Sequence, residues 1–235
     1  MTLLVAAASA GEPSCYSRLT NEWFCWQYVQ DRQSELVDAT VEHLQITLAA
    51  VLLGVVIAFP LALFARRVPR IEAGIVGAAT AVYTIPSLAL LPLLVPFTGL
   101  SMTTVVIGLG LYSLTILVRS MLEGLRSVPD DVRESATGLG YSKTRLLFRV
   151  ELPLALPVVM AGLRVATVST VALTTVGTIV SYGGLGNLIS DGVLTNFRAE
   201  LLTASILCVV IAVVLDLLIV GTQWLLTPWT HGARS

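Results

Sequence analysis

The stretch LQITLAAVLLGVVIAFPLALFA, residues 44–65, decides the fold class of this chain, because its 22 residues include no charged side chain. About 20 apolar residues in a helix cross the hydrocarbon core of a bilayer, which is roughly 30 Å thick. Four further segments are similarly apolar, and we place them at residues 73–95, 102–118, 153–180 and 201–226. Continuous apolar runs favour helices over a β-barrel. The sequence therefore predicts an all-α, polytopic membrane protein with about five transmembrane helices.

The composition of the whole chain agrees with this prediction. Of its 235 residues, 55% are hydrophobic and 12% are charged, and the mean hydropathy is +0.85. Soluble domains carry roughly 25% charged residues, so a lipid bilayer is the expected surrounding for most of this chain. The net charge of −1 provides no basic field for nucleic acid. The three cysteines, Cys15, Cys25 and Cys208, fit neither a zinc nor a redox motif.

The positions of lysine and arginine predict the orientation, because cytoplasmic loops carry an excess of these residues. The loops after the first, third and fifth spans and the chain end contain ten of them: Arg66, Arg67, Arg70, Arg119, Arg126, Arg133, Lys143, Arg145, Arg149 and Arg234. The opposite side contains three: Arg18, Arg32 and Arg198. We therefore expect the N-terminus outside and the C-terminus in the cytoplasm. The predicted parts are an extracytoplasmic segment (residues 1–40), a transmembrane domain (41–228) and a cytoplasmic tail (229–235).

The extracytoplasmic segment is expected to lie at the membrane surface. Its aromatic residues cluster together: Trp23, Phe24, Trp26 and Tyr28. Such a cluster is typical of an interfacial anchor, and a binding role is the alternative. Cys15 and Cys25 lie on the same oxidising side and could form a disulfide. Residues 1–10 resemble a signal peptide only loosely, and we expect them to be an uncleaved leader.

The longest charged stretch lies between the third and fourth spans, at residues 119–152. A hairpin needs only a few residues, so a connection of this length has a separate task. Ser127 could cap a first helix, which Gly138 and Gly140 would break, since glycine tolerates the left-handed conformation of a helix C-terminus. Ser142 could begin a second short helix, which Pro153 would stop. The sequence thus predicts a helix, a glycine turn and a second helix on the cytoplasmic face.

This loop contains a spaced set of residues: Glu134, Ser135 and Ala136, then Gly140 after three residues, then Val150, Glu151, Leu152 and Pro153 after nine more. Their order and spacing resemble the EAA signature of bacterial ABC importer permeases, which reads E-A-A, three residues, G, nine residues and I-x-L-P. The chain departs from it at Ser135 and Val150, both conservative in size. The resemblance implies the type I ABC importer permease fold and a location in the bacterial plasma membrane.

The same resemblance implies that the loop is a coupling helix, which docks in a groove on a separate ATPase subunit. Glu134 and its neighbours would make polar contacts there, and Gly140 would permit the turn. The implied partners are ATPase subunits, a second permease copy or a homologous permease, and an extracytoplasmic solute-binding protein. ATP and Mg²⁺ would bind to the ATPase, so no catalytic, metal or cofactor site is expected on this chain. The residues alone leave an amphipathic loop on the inner leaflet as the alternative.

The stretch GLGYSKT, residues 138–144, superficially resembles a phosphate-binding loop. That motif requires a glycine directly before the lysine and a strand before the first glycine. Here Ser142 precedes Lys143, and a helix is predicted upstream. We therefore expect the chain not to bind ATP.

Two ionisable residues lie inside the predicted spans. Arg164 is eleven residues beyond Pro153, about 16 Å into the fourth span at 1.5 Å per residue. Asp216 is ten residues before Leu226, about 15 Å from the same face in the fifth span. Adjacent antiparallel helices would bring the two to equal depth, so we predict an ion pair. The alternative is that Arg164 faces the substrate route.

Polar residues of the second and fourth spans are candidates for the translocation route: Tyr83, Pro86, Ser87, Thr170 and Thr174. A proline frees a backbone carbonyl, which is tolerated where helices surround a cavity. Threonine hydroxyls are alternatively explained by bonds to their own helix and by close helix packing. We place the route between these two spans.

The loop after the fourth span contains three glycines: Gly183, Gly184 and Gly186. A Gly-Gly-Leu-Gly run after the EAA helix resembles permeases for quaternary-amine osmoprotectants (glycine betaine, choline, carnitine, proline) and their methionine-importing relatives. The resemblance covers about residues 36–226, and it implies a tight turn that faces the external binding protein. Import of a quaternary-amine compatible solute is the expected function, and import of methionine or another amino acid is the alternative.

Two other classes of membrane protein fit the sequence less well. An ion-coupled secondary transporter would normally contain several intramembrane acids and internal repeats. We place one acid, Asp216, within a span and find no repeat. An intramembrane enzyme would need His, Asp or Glu at helical spacing within the spans, and the sequence contains no such set. A non-catalytic transport subunit is the remaining expectation.

Overall fold

The computed structural model describes residues 14–17 and 20–230, and within them it contains helices and no strand. The α-helices are α1 (Trp26–Asp31), α2 (Gln33–Arg67), α3 (Pro69–Thr84), α4 (Ser87–Thr98), α5 (Met102–Arg126), α6 (Asp130–Gly138), α7 (Lys143–Leu146), α8 (Leu152–Thr174), α9 (Leu185–Leu194) and α10 (Arg198–Leu226). A π-helical turn (Leu147–Glu151) and two 3-10 turns (Thr175–Val180 and Pro228–Thr230) complete them. The all-α class is confirmed. The predicted leader, Arg18 and residues 231–235 of the predicted tail lie outside the described residues.

Four helices are long and apolar enough to cross a membrane: Gln33–Arg67, Met102–Arg126, Lys143–Val180 and Arg198–Leu226. The pair α3 and α4 provides a fifth crossing if it is counted as one bent span. The prediction of about five spans is confirmed. The first spanning helix, α2, begins at Gln33, so it extends into the segment predicted to be extracytoplasmic.

The prediction that residues 73–95 form one helix is wrong. This span is divided between α3 and α4, which are bent by 99° relative to each other. Pro86 causes the break, since it has no backbone N–H to continue α3. The residue before it, Ile85, takes an extended conformation with φ −67° and ψ 126°. The Tyr112 hydroxyl of α5 donates a hydrogen bond to the Ile85 carbonyl, which satisfies a backbone group at the bend.

Helix α5 is the centre of the bundle and packs against α2, α3, α4 and α8. Its apolar side chains are buried on several faces, as at Leu109 and Leu117. Small residues let the neighbouring backbones approach it closely: Gly162 of α8 lies directly on the Ser120 side chain. Such contacts are the usual means of helix association in lipid, where no hydrophobic force drives helices together. Helix α10 packs against α8 and α9 at the edge of the bundle.

The N-terminal segment is covalently closed before the first span. Cys15 and Cys25 form a disulfide, with their Cα atoms 5.7 Å apart, and the Cys25 sulfur also accepts the Tyr28 N–H at the start of α1. Trp23 and two other aromatic side chains of the predicted anchor are exposed, whereas Tyr28 is buried. Tyr28 packs edge-to-face on Phe197, with ring centroids 5.2 Å apart, so it belongs to the folded body rather than to a surface anchor.

Candidate functional site: the coupling loop and the polar residues of the spans

Helix α6 carries the first part of the spaced signature. It begins at Asp130 with Pro129 as its N-cap, and its first turn is acidic, as suits the positive end of a helix dipole. The prediction that Ser127 caps this helix was wrong. Helix α5 continues past residue 118 to Arg126, and the Ser127 N–H instead donates to Glu123 as the C-cap of α5.

The glycine turn lies at Gly140, which adopts φ +82°. Residues with a Cβ rarely take this conformation, so glycine is required here. The Tyr141 N–H donates to the Ala136 carbonyl at 3.1 Å, and the Gly140 N–H donates to Thr137 at 2.9 Å. These bonds close the C-terminus of α6 and reverse the chain.

The second half of the loop differs from the prediction. Ser142 does cap α7, since its hydroxyl accepts the Arg145 N–H. Pro153, however, does not stop the helix: α7, the π-helical turn and α8 follow one another without a break. Pro153 lies directly after the π-helical turn, and such a local departure from α-helical bonding lets a continuous helix accommodate a residue without a backbone N–H. The loop is therefore mechanically continuous with the fourth span.

The signature residues divide into an exposed and a packed set. Glu134 and Ser135 are exposed, and Leu139 is 80% exposed at the end of α6. Ala136 is buried, while Val150, Leu152 and Pro153 are half-buried in the helix that leads into the bundle. The loop thus offers a mixed polar and apolar helix end to a partner and keeps its other residues for internal packing.

One buried residue that the sequence motifs do not single out, Glu151, ties this loop to the spans. Glu151 is 2% exposed, and its carboxylate accepts two hydrogen bonds from Arg66 at the end of α2, one of them at 2.6 Å. Arg133 of α6 donates its Nε–H to the same carboxylate at 3.0 Å. Arg133 also donates to the Leu125 carbonyl of α5 at 2.6 Å. A single buried acid therefore joins α2, α6 and the start of α8.

A signal for this network was present in the sequence. Glu151 stands at the variable position of the signature, flanked by Val150 and Leu152, and an acid between apolar residues at the end of a span needs a partner. In the sequence, Arg66 and Arg133 indicate only the orientation of the chain in the membrane. Their separation of 85 and 18 residues from Glu151 is the reason the pairing was not found.

The structure brings Arg164 and Asp216 together as the sequence predicts. The Arg164 Nε and Nη2 groups donate to the two carboxylate oxygens of Asp216 at 2.7 and 2.8 Å. This bidentate pair joins α8 to α10 at mid-span. Both side chains remain partly exposed at the edge of the bundle, at 40% and 27%.

Replacing Asp216 by Asn is expected to lower the thermal unfolding midpoint and the yield of folded protein. The reason is that Arg164 would be left without its counter-charge in a low-dielectric setting. Replacing Arg164 and Asp216 together by Leu should recover much of the loss. Thermal unfolding of the purified permease in nanodiscs measures this, with Asp38→Asn, an exposed acid of α2, as the control. An unchanged midpoint in Asp216→Asn would contradict a structural role for the pair.

Two of the predicted route residues, Tyr83 of the second span and Thr170 of the fourth, line the same small cavity of about 10 Å³. Helix α5 packs against both α3 and α8, and α4 contacts the 3-10 turn that ends the fourth span, so the second and fourth spans meet beside α5. Thr170 and Thr174 are buried, and each donates its hydroxyl to a carbonyl one turn earlier in α8. Both hydroxyls therefore stabilise their own helix. Tyr83 and Pro86 are exposed beside the bend, with Ser87 half-buried there.

The three glycines of the loop after the fourth span are buried. Gly184 alone takes a positive φ, +54°, and it lies against the backbone of His43 in α2. Gly183 lies on the Thr178 backbone, and Gly186 lies on the Thr175 backbone. Because these glycines have no side chain, the backbone before and at the start of α9 lies directly against α2 and the end of α8.

Comparison with known proteins adds the family. Residues 46–232 match the family described as the binding-protein-dependent transport system inner membrane component. The chain is 32% identical over 202 residues to the choline transport system permease protein OpuBB of Bacillus subtilis, covering 86% of this chain and 93% of that protein. It is 33% identical to the osmoprotectant import permease protein OsmW of Salmonella typhimurium, covering 86% and 96%. The carnitine transport permease protein OpuCB of Listeria monocytogenes is 32% identical, with 86% and 92% covered.

Solved structures agree on the fold. A chain of the inward-facing MetNI methionine ABC transporter superposes with a TM-score of 0.69 at 20% identity, covering 85% of this chain and 97% of that one. A chain of an amino acid ABC transporter solved with histidines gives a TM-score of 0.66 at 17% identity, covering 86% and 97%. At these identities the likeness concerns the fold alone.

Proposed function

The chain belongs to the family of binding-protein-dependent transport system inner membrane components, and we propose that it is the permease subunit of an ABC importer for a quaternary-amine compatible solute. It is a multi-pass protein of the bacterial inner membrane. The solute class follows from relatives named for choline, carnitine and osmoprotectant transport that cover 86% of the chain. Methionine or another amino acid is the alternative solute.

The observation that carries this function is the exposed end of α6 beside a fixed glycine turn. Glu134, Ser135 and Leu139 are exposed there, while Ala136 and the Gly140 turn keep the helix in place. A short helix with an exposed acid and an exposed leucine suits a groove on a partner subunit. The proposed partner is an ABC-type ATPase, which would bind the ATP and Mg²⁺, so that this chain carries no catalytic residue.

The proposed machine needs further chains. A second permease, either another copy or a homologue, would complete the route, and an extracytoplasmic solute-binding protein would deliver the solute. In this arrangement the N-terminus lies outside, in agreement with the excess of Lys and Arg at the coupling-loop end of the bundle. The bent pair α3 and α4, with Tyr83 and Pro86 exposed at the bend, is the proposed wall of the route.

Transmission through the loop follows from its attachments. When two ATPase subunits close around ATP, α6 would move with the groove that holds it. Glu151 joins α6 to the end of α2 and to the start of α8 through Arg133 and Arg66. A displacement of α6 therefore pulls on two spans at once. Rigid packed elements of this kind transmit motion as discrete shifts.

Reversing the charge of Glu134 tests this proposal. In proteoliposomes containing the permease, its ATPase, any partner permease and the binding protein, we expect ATP-dependent uptake of choline or glycine betaine. Glu134→Lys should lower the initial uptake rate about tenfold, as the loss of a charged contact at an interface does, with unchanged thermal stability because the side chain is exposed. Asp38→Lys reverses an exposed charge at the far end of α2 and should transport normally.

Three results would change the conclusion. Uptake of methionine in place of choline and betaine would keep the machine and replace the solute. Uptake driven by an ion gradient without ATP would refute the importer. Normal uptake by Glu134→Lys would refute the proposed docking of α6.

A further inference from the structure

A cavity of about 750 Å³ lies at the end of the bundle opposite the coupling loop. Its wall is formed by the N-terminal segment, the first turn of α2, and the connection from α9 to α10. Helix α2 sets the distance between the two ends, since it begins beside the cavity at Gln33 and ends near Arg66 in the Glu151 network. In the proposed orientation the cavity opens outside the cell.

The wall of this cavity is held in place by specific bonds. The Cys15–Cys25 disulfide closes the N-terminal segment. Asn21 then joins it to the α9–α10 connection twice: its amide donates to the Asn196 carbonyl at 2.7 Å, and its side-chain oxygen accepts the Arg198 N–H at 3.0 Å. Because the disulfide and the two Asn21 hydrogen bonds hold the N-terminal segment in place, the pocket is preorganised for a ligand.

The charge of the cavity lining is net negative, since it contains three acids, Glu35, Asp191 and Glu200, and one basic residue, Arg32. Glu200 lines it and is 6% exposed, yet its carboxylate has no hydrogen-bond or ion-pair partner within residues 14–17 and 20–230. Glu35 is paired with Arg32 at 3.0 Å, whereas the exposed Asp191 forms no ion pair among the same residues. A buried carboxylate without a partner is costly, so this arrangement favours a cation in the cavity.

Aromatic rings form the apolar part of the wall. Tyr16, Tyr28 and Phe197 contact one another, with ring centroids 5.2 to 6.3 Å apart. Tyr28 is 1% exposed, and its hydroxyl has no hydrogen-bond partner in the described part of the chain. Burial raises the pKa of this phenol, and the nearby carboxylates of Glu200 and Glu35 raise it further, so the hydroxyl stays neutral and free to donate.

The combination selects one class of ligand. Aromatic faces attract ammonium groups, and methylated ammonium groups best of all because they are weakly hydrated. Inorganic cations such as Ca²⁺ and Mg²⁺ require several oxygen ligands at short range, and the described part of the chain contains no group of three or more His, Cys, Asp or Glu side chains that could hold a metal ion. A carboxylate beside an aromatic wall is therefore suited to an organic cation.

We propose that this cavity binds a quaternary ammonium cation, with Glu200 as its counter-ion and the rings of Tyr16 and Phe197, which Tyr28 supports from behind, against its methyl groups. The choice of choline among such cations rests on the proposed function of the chain. The cavity narrows the range of expected solutes, because the unpaired carboxylates of Glu200 and Asp191 repel the carboxylate of glycine betaine or carnitine. The cavity should therefore prefer choline to these zwitterions.

The test is direct binding of choline to the permease with its ATPase subunits in nanodiscs, without the binding protein, by isothermal titration calorimetry. Choline should bind, and its uncharged isostere 3,3-dimethylbutan-1-ol should bind at least about tenfold more weakly, because it lacks the charge that Glu200 neutralises. Glu200→Gln should weaken choline binding by a similar factor. Asp38→Asn removes an exposed acid outside the cavity and should change binding less than about twofold.

Equal binding of choline and its neutral isostere would overturn the proposal, as would wild-type affinity in Glu200→Gln or no choline binding at all. If Glu200→Gln fails to fold, Asp191→Asn at an exposed position and the isostere comparison on the unaltered chain still decide. The uptake experiment separates the two proposals. ATP-dependent choline uptake without choline binding in nanodiscs refutes this cavity alone, whereas binding without ATP-dependent uptake refutes the importer alone.

Discussion

Replacing Glu151 by Gln is expected to destabilise the permease by about 3 kcal/mol, the scale of breaking a buried ion pair by removing one partner. The carboxylate is 3% exposed and faces two guanidinium groups, Arg66 and Arg133. An amide keeps the size of the side chain but supplies one acceptor oxygen and a donor that repels the arginines. The interactions that hold α2, α6 and the start of α8 together would then be weakened.

Transport should fail in Glu151→Gln even where folded protein is recovered. With α6 no longer fixed to α2 and α8, ATP hydrolysis by the partner should continue while solute uptake is lost. Measuring both rates in the same proteoliposomes separates uncoupling from misfolding. Glu123→Gln, an exposed acid at the end of α5, is the matched control. Wild-type uptake together with an unchanged unfolding midpoint in Glu151→Gln would show that the Glu151 network does not couple α6 to the spans.

Replacing Gly186 by Ala is expected to cost about 3 kcal/mol or more, at the upper end of overpacking effects. A Cβ at this position would overlap the backbone of Thr175, with the Thr175 carbonyl carbon 2.8 Å away. Backbone atoms cannot rotate aside as a side chain can. The 3-10 turn after α8 and the start of α9 would have to separate, which would also disturb the contact of Gly184 with α2.

A second glycine provides the control for this substitution. A Cβ at Gly221 in α10 meets nothing within 4 Å, so Gly221→Ala should leave the unfolding midpoint unchanged or raise it slightly through helix propensity. Both variants are compared by thermal unfolding in nanodiscs and by the fraction of monodisperse protein. A wild-type midpoint in Gly186→Ala would mean that the glycine contact relaxes without cost.

Features that depend on local sequence were predictable. The number of spans follows from the length and hydropathy of each segment, and the loop signature follows from fixed spacing between Glu134 and Pro153. The turn at Gly140 was predictable for the same reason, because a positive φ is a property of one residue. The pairing of Arg164 with Asp216 needed only helix rise and antiparallel order.

Features that depend on neighbours were not predictable in the same way. Pro86 signals a bend, but the 99° angle depends on the packing of α3 and α4 against α5. The threonines of α8 look equally suited to a route and to a helix interface, and only the burial of Thr170 and Thr174 distinguishes these. The continuity of the loop with α8 through Pro153 likewise needed the backbone itself.

The sequence by itself determined that this chain is an all-α membrane protein with a spaced signature from Glu134 to Pro153, because hydropathy and motif spacing act within one segment. Only the tertiary structure decided that Glu151 meets Arg66 across 85 residues, that Gly186 lies on Thr175, and that Glu200 lines a cavity. Each of these depends on which helix faces lie together. That choice is made by the packing of the whole bundle, and no single segment encodes it.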